Sequence, residues 1–412
     1  MTVTLNPFDN DQTERVPIGI AYSVTLGKML DAGKTVDDSH TILPYIRAAN
    51  IQDDGLRLAD INEMPFSESE AARLDLRRGD LLVVEGGAVG TTTVLDHDMP
   101  GWSFQKTVNR VRPIGAWSTR YLAYVLRAYR DAGIIDLVCN GSTIPHLTAE
   151  KLRALRIPFA NPDEQRAIAD YLDRETARID RLIEEQQRLI EMLRERRESE
   201  IAAEFAEAAK TPLRQVIEYA QTGPFGTQLS ADEYVVGGVP VINPTHIQRG
   251  VIVPDDSTTV TPEKAEDLAR YRLAVGDIVL GRKGEVDKSA LVDKRSAGYV
   301  CGSDTMALRL SSGTVPDYLW WFLQSPEAHS QLEYWSVGAT VSGLNQTTIR
   351  KVRLPLPDVQ EQRRIASDLY EKTAKIDRLI VETVHFIELS KERRSALITA
   401  AVTGQIDVRE MR

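Results

Sequence analysis

A chain of 412 residues with 42% hydrophobic and 27% charged residues has a globular composition and room for two or three domains of about 100–200 residues, which excludes a disordered or peptide-like scaffold. Two cysteines, Cys139 and Cys301, and six scattered histidines form neither a disulfide framework nor a zinc-ligand spacing, so no metal or other cofactor is expected. A net charge of −10 argues against a broad basic surface of the kind nucleic-acid-binding proteins usually carry.

The start, Met1-Thr2-Val3-Thr4-Leu5-Asn6-Pro7, has no basic region or apolar core, and no run nears about 18 apolar residues, so a cytoplasmic location without membrane contact is expected. Short apolar or alternating runs bounded by Gly, Asp and Pro, "GDLLVV" at 79–84 and "TTTVLD" at 91–96, read as strands, and "GGAVGTTT" at 86–93 reads as a turn rather than a phosphate loop. "STRYLAYVLRAY" at 118–129 reads as a helix. Asn161-Pro162-Asp163-Glu164 then supplies a cap, a proline at the first helical position and an acid at the third, opening a helix from Pro162 to near Ala209. Its apolar positions Ile168, Leu172, Ile179, Leu182, Ile183, Leu189, Ile190 and Leu193 recur at threes and fours, the seam of a coiled coil.

The pattern then starts again. "VPVIN" and "GDIVLG" read as strands, "VPDDSTTVTPEKAEDLAR" as a surface loop and a capped helix, and "PDYLWWFLQSPEAHSQL" as helical. Asp358-Val359-Gln360-Glu361 opens a second long helix that runs to Thr403, with Gly404 as its stop and a seam through Ile365, Leu369, Ile376, Leu379, Ile380, Phe386 and Ile387. Sliding the chain by 197 positions lays Gly79-Asp80 on Gly276-Asp277, Tyr121 on Tyr318 and Arg156-Ile157-Pro158 on Arg353-Leu354-Pro355. Residues 164–183 and 361–380 share thirteen of twenty positions. The unit, a domain plus a helix, is therefore used twice. The expected architecture is α+β: a first globular domain at 1–157, a first spacer helix at 158–210, a second globular domain at 211–354, and a second helix with a tail at 355–412. The two helices are expected to pair antiparallel as a coiled coil, giving a pseudo-twofold tandem repeat.

No nucleophile elbow, H-E-x-x-H or calcium loop is present, which leaves catalysis without a starting point. Side chains suited to base edges do recur in turns at matching places: Arg47 and Asn50 in "YIRAANIQDDG", Gln105, Lys106, Asn109 and Arg110 in "FQKTVNRVR", Asn243 and His246 in "VINPTHIQRG", and Arg282 and Lys283 in "GRKG". Arg and Lys donate to guanine O6 and N7, and Asn and Gln pair with adenine N6 and N7. Three readings fit these residues: DNA recognition, a scaffold whose coiled coil joins two ligand-binding domains, and a nuclease using the acids at 254–264.

"LRIPFANPDEQRAIADYLDRETARIDRLI" and "VRLPLPDVQEQRRIASDLYEKTAKIDRLI", each preceded by "GSTIPHLT" or "GATVSGLN", together with the final "LITAAVTGQIDV", resemble the specificity subunits of type I DNA restriction-modification systems. That resemblance implies two target recognition domains, each reading one half of a split double-stranded DNA site. It implies a coiled coil that sets the half-site spacing and docks two methyltransferase subunits, and motor-nuclease restriction subunits that join the complex, with no catalytic site in this chain. Exposed helix residues repeated at equivalent positions, Arg181 and Arg378, are the candidates for partner contact.

Overall fold

The computed structural model describes residues 14–29, 40–139, 145–206, 211–282, 288–336 and 343–408. Lys283 lies outside them. Two compact units emerge, Met1–Glu185 with His385–Arg412, and Gln186–Val384.

In the first unit an antiparallel four-stranded sheet runs in the order Tyr22–Leu26, Val108–Pro113, Leu81–Val84, Thr92–Val94. A three-stranded sheet places His40–Ile46 between Asn62–Ser67, antiparallel, and Ser103–Phe104, parallel. A hairpin joins Ile51–Gln52 to Gly55–Leu56, and Arg15–Pro17 pairs with Arg156–Pro158. The second unit repeats this order. Its four-stranded sheet is Ile217–Thr222, Thr305–Leu310, Ile278–Gly281, Ser289–Leu291. Val239–Ile242 lies between Thr259–Val260, antiparallel, and Val300–Cys301, parallel, and Thr211–Pro212 pairs with Arg353–Leu354.

The shared Gly-Asp pair shows why these strands start where they do. Gly79 and Gly276 have φ of +85° and +86°, a left-handed turn that a Cβ would strain. The following carboxylate caps that turn, Asp80 Oδ2 accepting from Arg77 N and Asp277 Oδ2 from Ala274 N, each at 2.8 Å. Asp80 is then clamped by Arg112 at 2.6 and 2.7 Å, and Asp277 by Arg309 at 2.9 and 2.7 Å. Planar two-point pairing satisfies carboxylates that are only 1% and 2% exposed. The next residues, Leu81–Val84 and Ile278–Gly281, are buried on both faces, hence their unbroken apolar run.

The long helices span Pro162–Glu204 and Val359–Val402, on the order of 65 Å each at the α-helical rise. Asn161 Oδ1 accepts from the backbone N–H groups of Asp163 and Glu164 at 3.0 Å, and Asp358 Oδ1 from those of Gln360 and Glu361 at 2.9 Å. Gly404, at φ +73°, follows the second helix. In the first unit Ala169 and Leu172 share a core with Ile398, Ala401 and Val402, and Arg394 Nε lies 2.9 Å from Asp180. In the second, Ile201 and Phe205 share a core with Ile365 and Leu369, and Arg197 Nε donates to Asp377 at 3.0 Å. Within each unit the helix segments therefore run antiparallel.

Two details differ from the sequence reading. Leu379 and Phe386 are 49% and 43% exposed, while Thr373, Thr383 and Ser390 are buried with Ile376 and Ile387. Each of these hydroxyls donates to the carbonyl four residues back, at 2.6–2.8 Å, which satisfies the polar group inside its own helix. An apolar-only pattern cannot register such positions. The helix expected over "PDYLWWFLQSPEAHSQL" is two, Pro316–Leu323 and Pro326–Ser336. Pro326 lacks the N–H that continuity would need.

Candidate nucleic-acid interface

Each domain gathers its candidate residues where the loops of its two sheets meet. In the first, Thr107 accepts from Ala48 N at 3.2 Å and donates to Gln105 Oε1 at 3.2 Å, and Glu85 N donates to Thr107 O at 2.9 Å. The loops that carry Arg47, Gln105 and Lys106 therefore lie side by side. Lys106 is exposed, and Arg47 and Gln105 are half-buried. Arg47 pairs with Asp60. Burial raises the Glu85 carboxyl above its ordinary value, with His146, Asn109 and Lys106 acting the other way.

The other three candidates of this domain turn inward. Asn50 is 2% exposed, its Oδ1 accepting from Arg47 N at 3.0 Å and its Nδ2 donating to the carbonyls of Arg57 and Asp60 at 2.9 and 3.0 Å. Asn109 is fully buried and donates to Leu147 O at 3.0 Å. Arg110, 6% exposed, pairs with Asp75 at 2.9 Å and lies over the Phe104 ring. These side chains fix loop shape from beneath.

In the second domain Arg282, the counterpart of Glu85, reaches across the same junction. Its Nε donates to Leu344 O and its Nη1 to Ser303 O, each at 3.2 Å. Leu344 O corresponds to the carbonyl that Asn109 holds in the first domain. Asn243 is half-buried as a residue, but its Oδ1 is itself buried and finds no hydrogen-bond partner among the described residues, so this candidate too turns inward. Gly302 passes beside it so closely that a Cβ there would stand 2.2 Å from that oxygen. His246 is 5% exposed. Its Nδ1 accepts from Asn243 N at 3.1 Å, which leaves Nε2 as the protonated nitrogen, 2.7 Å from Asp255.

Asp255 also accepts from Ser257 and Thr258 at 2.6–3.1 Å, and these bonds hold its carboxyl below the usual range. Asp255 thus organises a turn, and the helix Pro262–Asp267 that follows is capped by Thr261, whose hydroxyl oxygen accepts from Lys264 N at 3.2 Å. No group of three or more His, Cys, Asp or Glu among the described residues is placed to hold a metal. Cys139 and Cys301 are buried and unpaired with each other. No described helix is long and apolar enough to cross a membrane. Arg181 and Arg378 are exposed on their helices, Arg181 donating to Ala177 O at 3.3 Å.

The residues that base chemistry alone does not pick out are the positions that knit these loops together: Glu85, Thr107, Ser303 and Leu344. Three of them were accessible through the repeat, since the 197-residue offset lays 85 on 282, 106 on 303 and 147 on 344.

Comparison with known proteins gives one consistent family. The type I restriction modification DNA specificity domain matches residues 26–192 and again 209–379. The chain is 21% identical over 385 residues to the StySPI type I restriction enzyme specificity subunit of Salmonella potsdam, covering 88% of this chain and 82% of that one. It is 27% identical over 145 residues to a Methanocaldococcus jannaschii protein described as the MjaX type I restriction enzyme specificity subunit, and that match spans only 33% of the relative's length. Among solved structures, a chain from work on complex assembly and conformational transition of the type I R-M system superposes with a TM-score of 0.77 over 96% of this chain and 99% of that one, at 15% identity.

Proposed function

The chain belongs to the type I restriction modification DNA specificity family, its two matched segments covering most of its length, and on that premise we propose that each globular domain reads one half of an asymmetric, bipartite DNA site. The observation that carries this reading is the contrast within the repeat. Strand order, Gly-Asp turns and helix caps coincide in both units, while the loops at the sheet junction carry different polar side chains. A shared frame with divergent reading loops is what two different half-sites require.

In this reading Lys106, Gln105 and Arg47 contact the first half-site. Arg282, with Lys283, contacts the second. Asn243 Oδ1 is itself buried beside Gly302, so this side chain shapes the loop from beneath and is not open to a base edge. Asn50, Asn109, Arg110 and His246 hold the loops in shape. The paired helices set the half-site spacing and dock two methyltransferase subunits, with Arg181 and Arg378 among the contacts, and restriction subunits join that complex. The chain itself supplies recognition and no catalysis. Its charge of −10 leaves phosphate neutralisation largely to partners, so the isolated subunit binds DNA weakly, and salt weakens that binding further.

Co-expression with cognate methyltransferase subunits, followed by sequencing of methylated bases, tests this. The expected motif has two dissimilar parts separated by unread base pairs. A single contiguous motif sinks the two-domain reading, and absence of any sequence-dependent DNA binding by the assembled complex favours the scaffold reading, for which the acidity speaks.

A further inference from the structure

The long helices begin almost identically, with thirteen of twenty positions shared between 164–183 and 361–380, so each domain has two near-equivalent helices on which to settle. The fasteners common to both units do not discriminate. Gln165 Oε1 accepts from Ser118 N at 3.0 Å and Gln362 Oε1 from Val315 N at 2.8 Å, while Tyr121 donates to Pro158 O at 3.1 Å and Tyr318 to Pro355 O at 2.7 Å.

One contact does differ, and it differs on both sides at once. In the first unit Arg120 pairs with Asp170 at 2.6 Å and with Asp173, and the Tyr124 hydroxyl donates to Asp173 at 2.7 Å. Here the domain donates and the long helix accepts. At the positions 197 residues on, Asp317 replaces Arg120, Trp321 replaces Tyr124, Ser367 replaces Asp170 and Tyr370 replaces Asp173. Tyr370 donates to Asp317 at 2.9 Å, stacks on Trp320 with ring centroids 5.9 Å apart and 15° between planes, and meets Trp321 edge-on at 5.1 Å. The helix now donates and the domain accepts.

We propose that these two contacts are non-interchangeable keys that commit each globular domain to its own long helix. The first domain on the second helix would leave Arg120 facing Ser367 and Tyr370, without either carboxylate. The second domain on the first helix would set Asp317 against Asp170 and Asp173 and place the two indoles against a carboxylate instead of a ring. Each mismatch removes the attraction, and the second adds repulsion, so discrimination acts in both directions. A recognition domain transplanted between the two positions therefore needs its key residues moved with it.

Thermal unfolding of the full chain tests this without reference to DNA. Tyr370→Asp is expected to lower the unfolding midpoint by about 5 °C. Adding Asp317→Arg, which recreates the Arg120–Asp173 pairing in the second unit, should recover at least half of that loss. A harmless Tyr370→Asp, or a double variant no more stable than the single one, overturns the proposal. Should Tyr370→Asp yield no soluble protein, soluble Asp317→Arg/Tyr370→Asp protein supports the keys. If both are insoluble, Asp173→Tyr against Arg120→Asp/Asp173→Tyr repeats the comparison in the first unit, where lack of rescue overturns the idea.

Discussion

Glu85 is an unexpected residue beside Lys106 on the face proposed to meet phosphate-rich DNA. Burial pushes its carboxyl above the ordinary value of 4.5, so the folded state holds that proton more tightly than the unfolded chain does. The stability this brings is complete below 4.5 and is lost as pH rises through the folded value. Glu85→Gln keeps an acceptor for Asn109 and removes the buried charge. It should therefore be more stable than the parent at pH 7 and equal to it near pH 4 in thermal unfolding. The variant should also tighten DNA binding by the assembled complex at neutral pH. Equal stability at both pH values would contradict the burial argument. The residue scale is where sequence reading reaches least far. Asn50, Asn109, Arg110 and His246 have side chains fitted to base edges, yet all four are buried and engaged within their own domain. Side-chain chemistry says what a group can bond, and only the fold says in which direction it points.

At the scale of elements, each domain is fastened to its long helix by a buried glutamine. Gln165, 1% exposed, accepts from Ser118 N and from the Tyr22 hydroxyl, at 3.0 and 3.2 Å, and donates to Ala160 O at 3.1 Å. Gln165→Ala would strand Ser118 N and Ala160 O at about 1–3 kcal/mol each where water cannot reach them, while the Tyr22 hydroxyl keeps Ser118 O as an acceptor at 2.9 Å. Partial solvation should reduce the total to about 2–3 kcal/mol, visible as a drop of several degrees in the unfolding midpoint. Glu164→Ala, one residue away on an exposed turn, should cost about 1 kcal/mol or less. The glutamine's importance was signalled by its recurrence in both Glu-Gln-Arg triplets, although nothing in its type announces burial. The helix starts were fully legible, because Asn161 and Asp358 do what their capping chemistry dictates. The seam was legible only in part. Isoleucines and leucines mark most of it, but the buried Thr373, Thr383 and Ser390 hide their polar groups against their own helix and escape any count of apolar residues.

At the scale of the whole molecule, duplication was plain from a single offset, since internal repeats need no knowledge of packing. What the offset could not reveal is that each compact unit takes part of both long helices. That division depends on which segment of one helix faces which segment of the other. The facing pairs Asp180 with Arg394 and Asp377 with Arg197 are the same two repeat positions exchanged between the helices, so one motif, written twice, fixes an antiparallel register in each unit. In the proposed function, reading and spacing are separate properties, held by the domains and the helices respectively. This separation is tested by inserting seven residues into each long helix, between Asp180 and Arg197 and between Asp377 and Arg394, and mapping the methylated motif of the assembled complex. Two added turns are about 10.5 Å of helix, the rise of about three base pairs. The predicted motif keeps both half-sites unchanged and gains about three unread base pairs between them. A change in the bases of either half-site, or an unchanged spacer with full methylation, would contradict it.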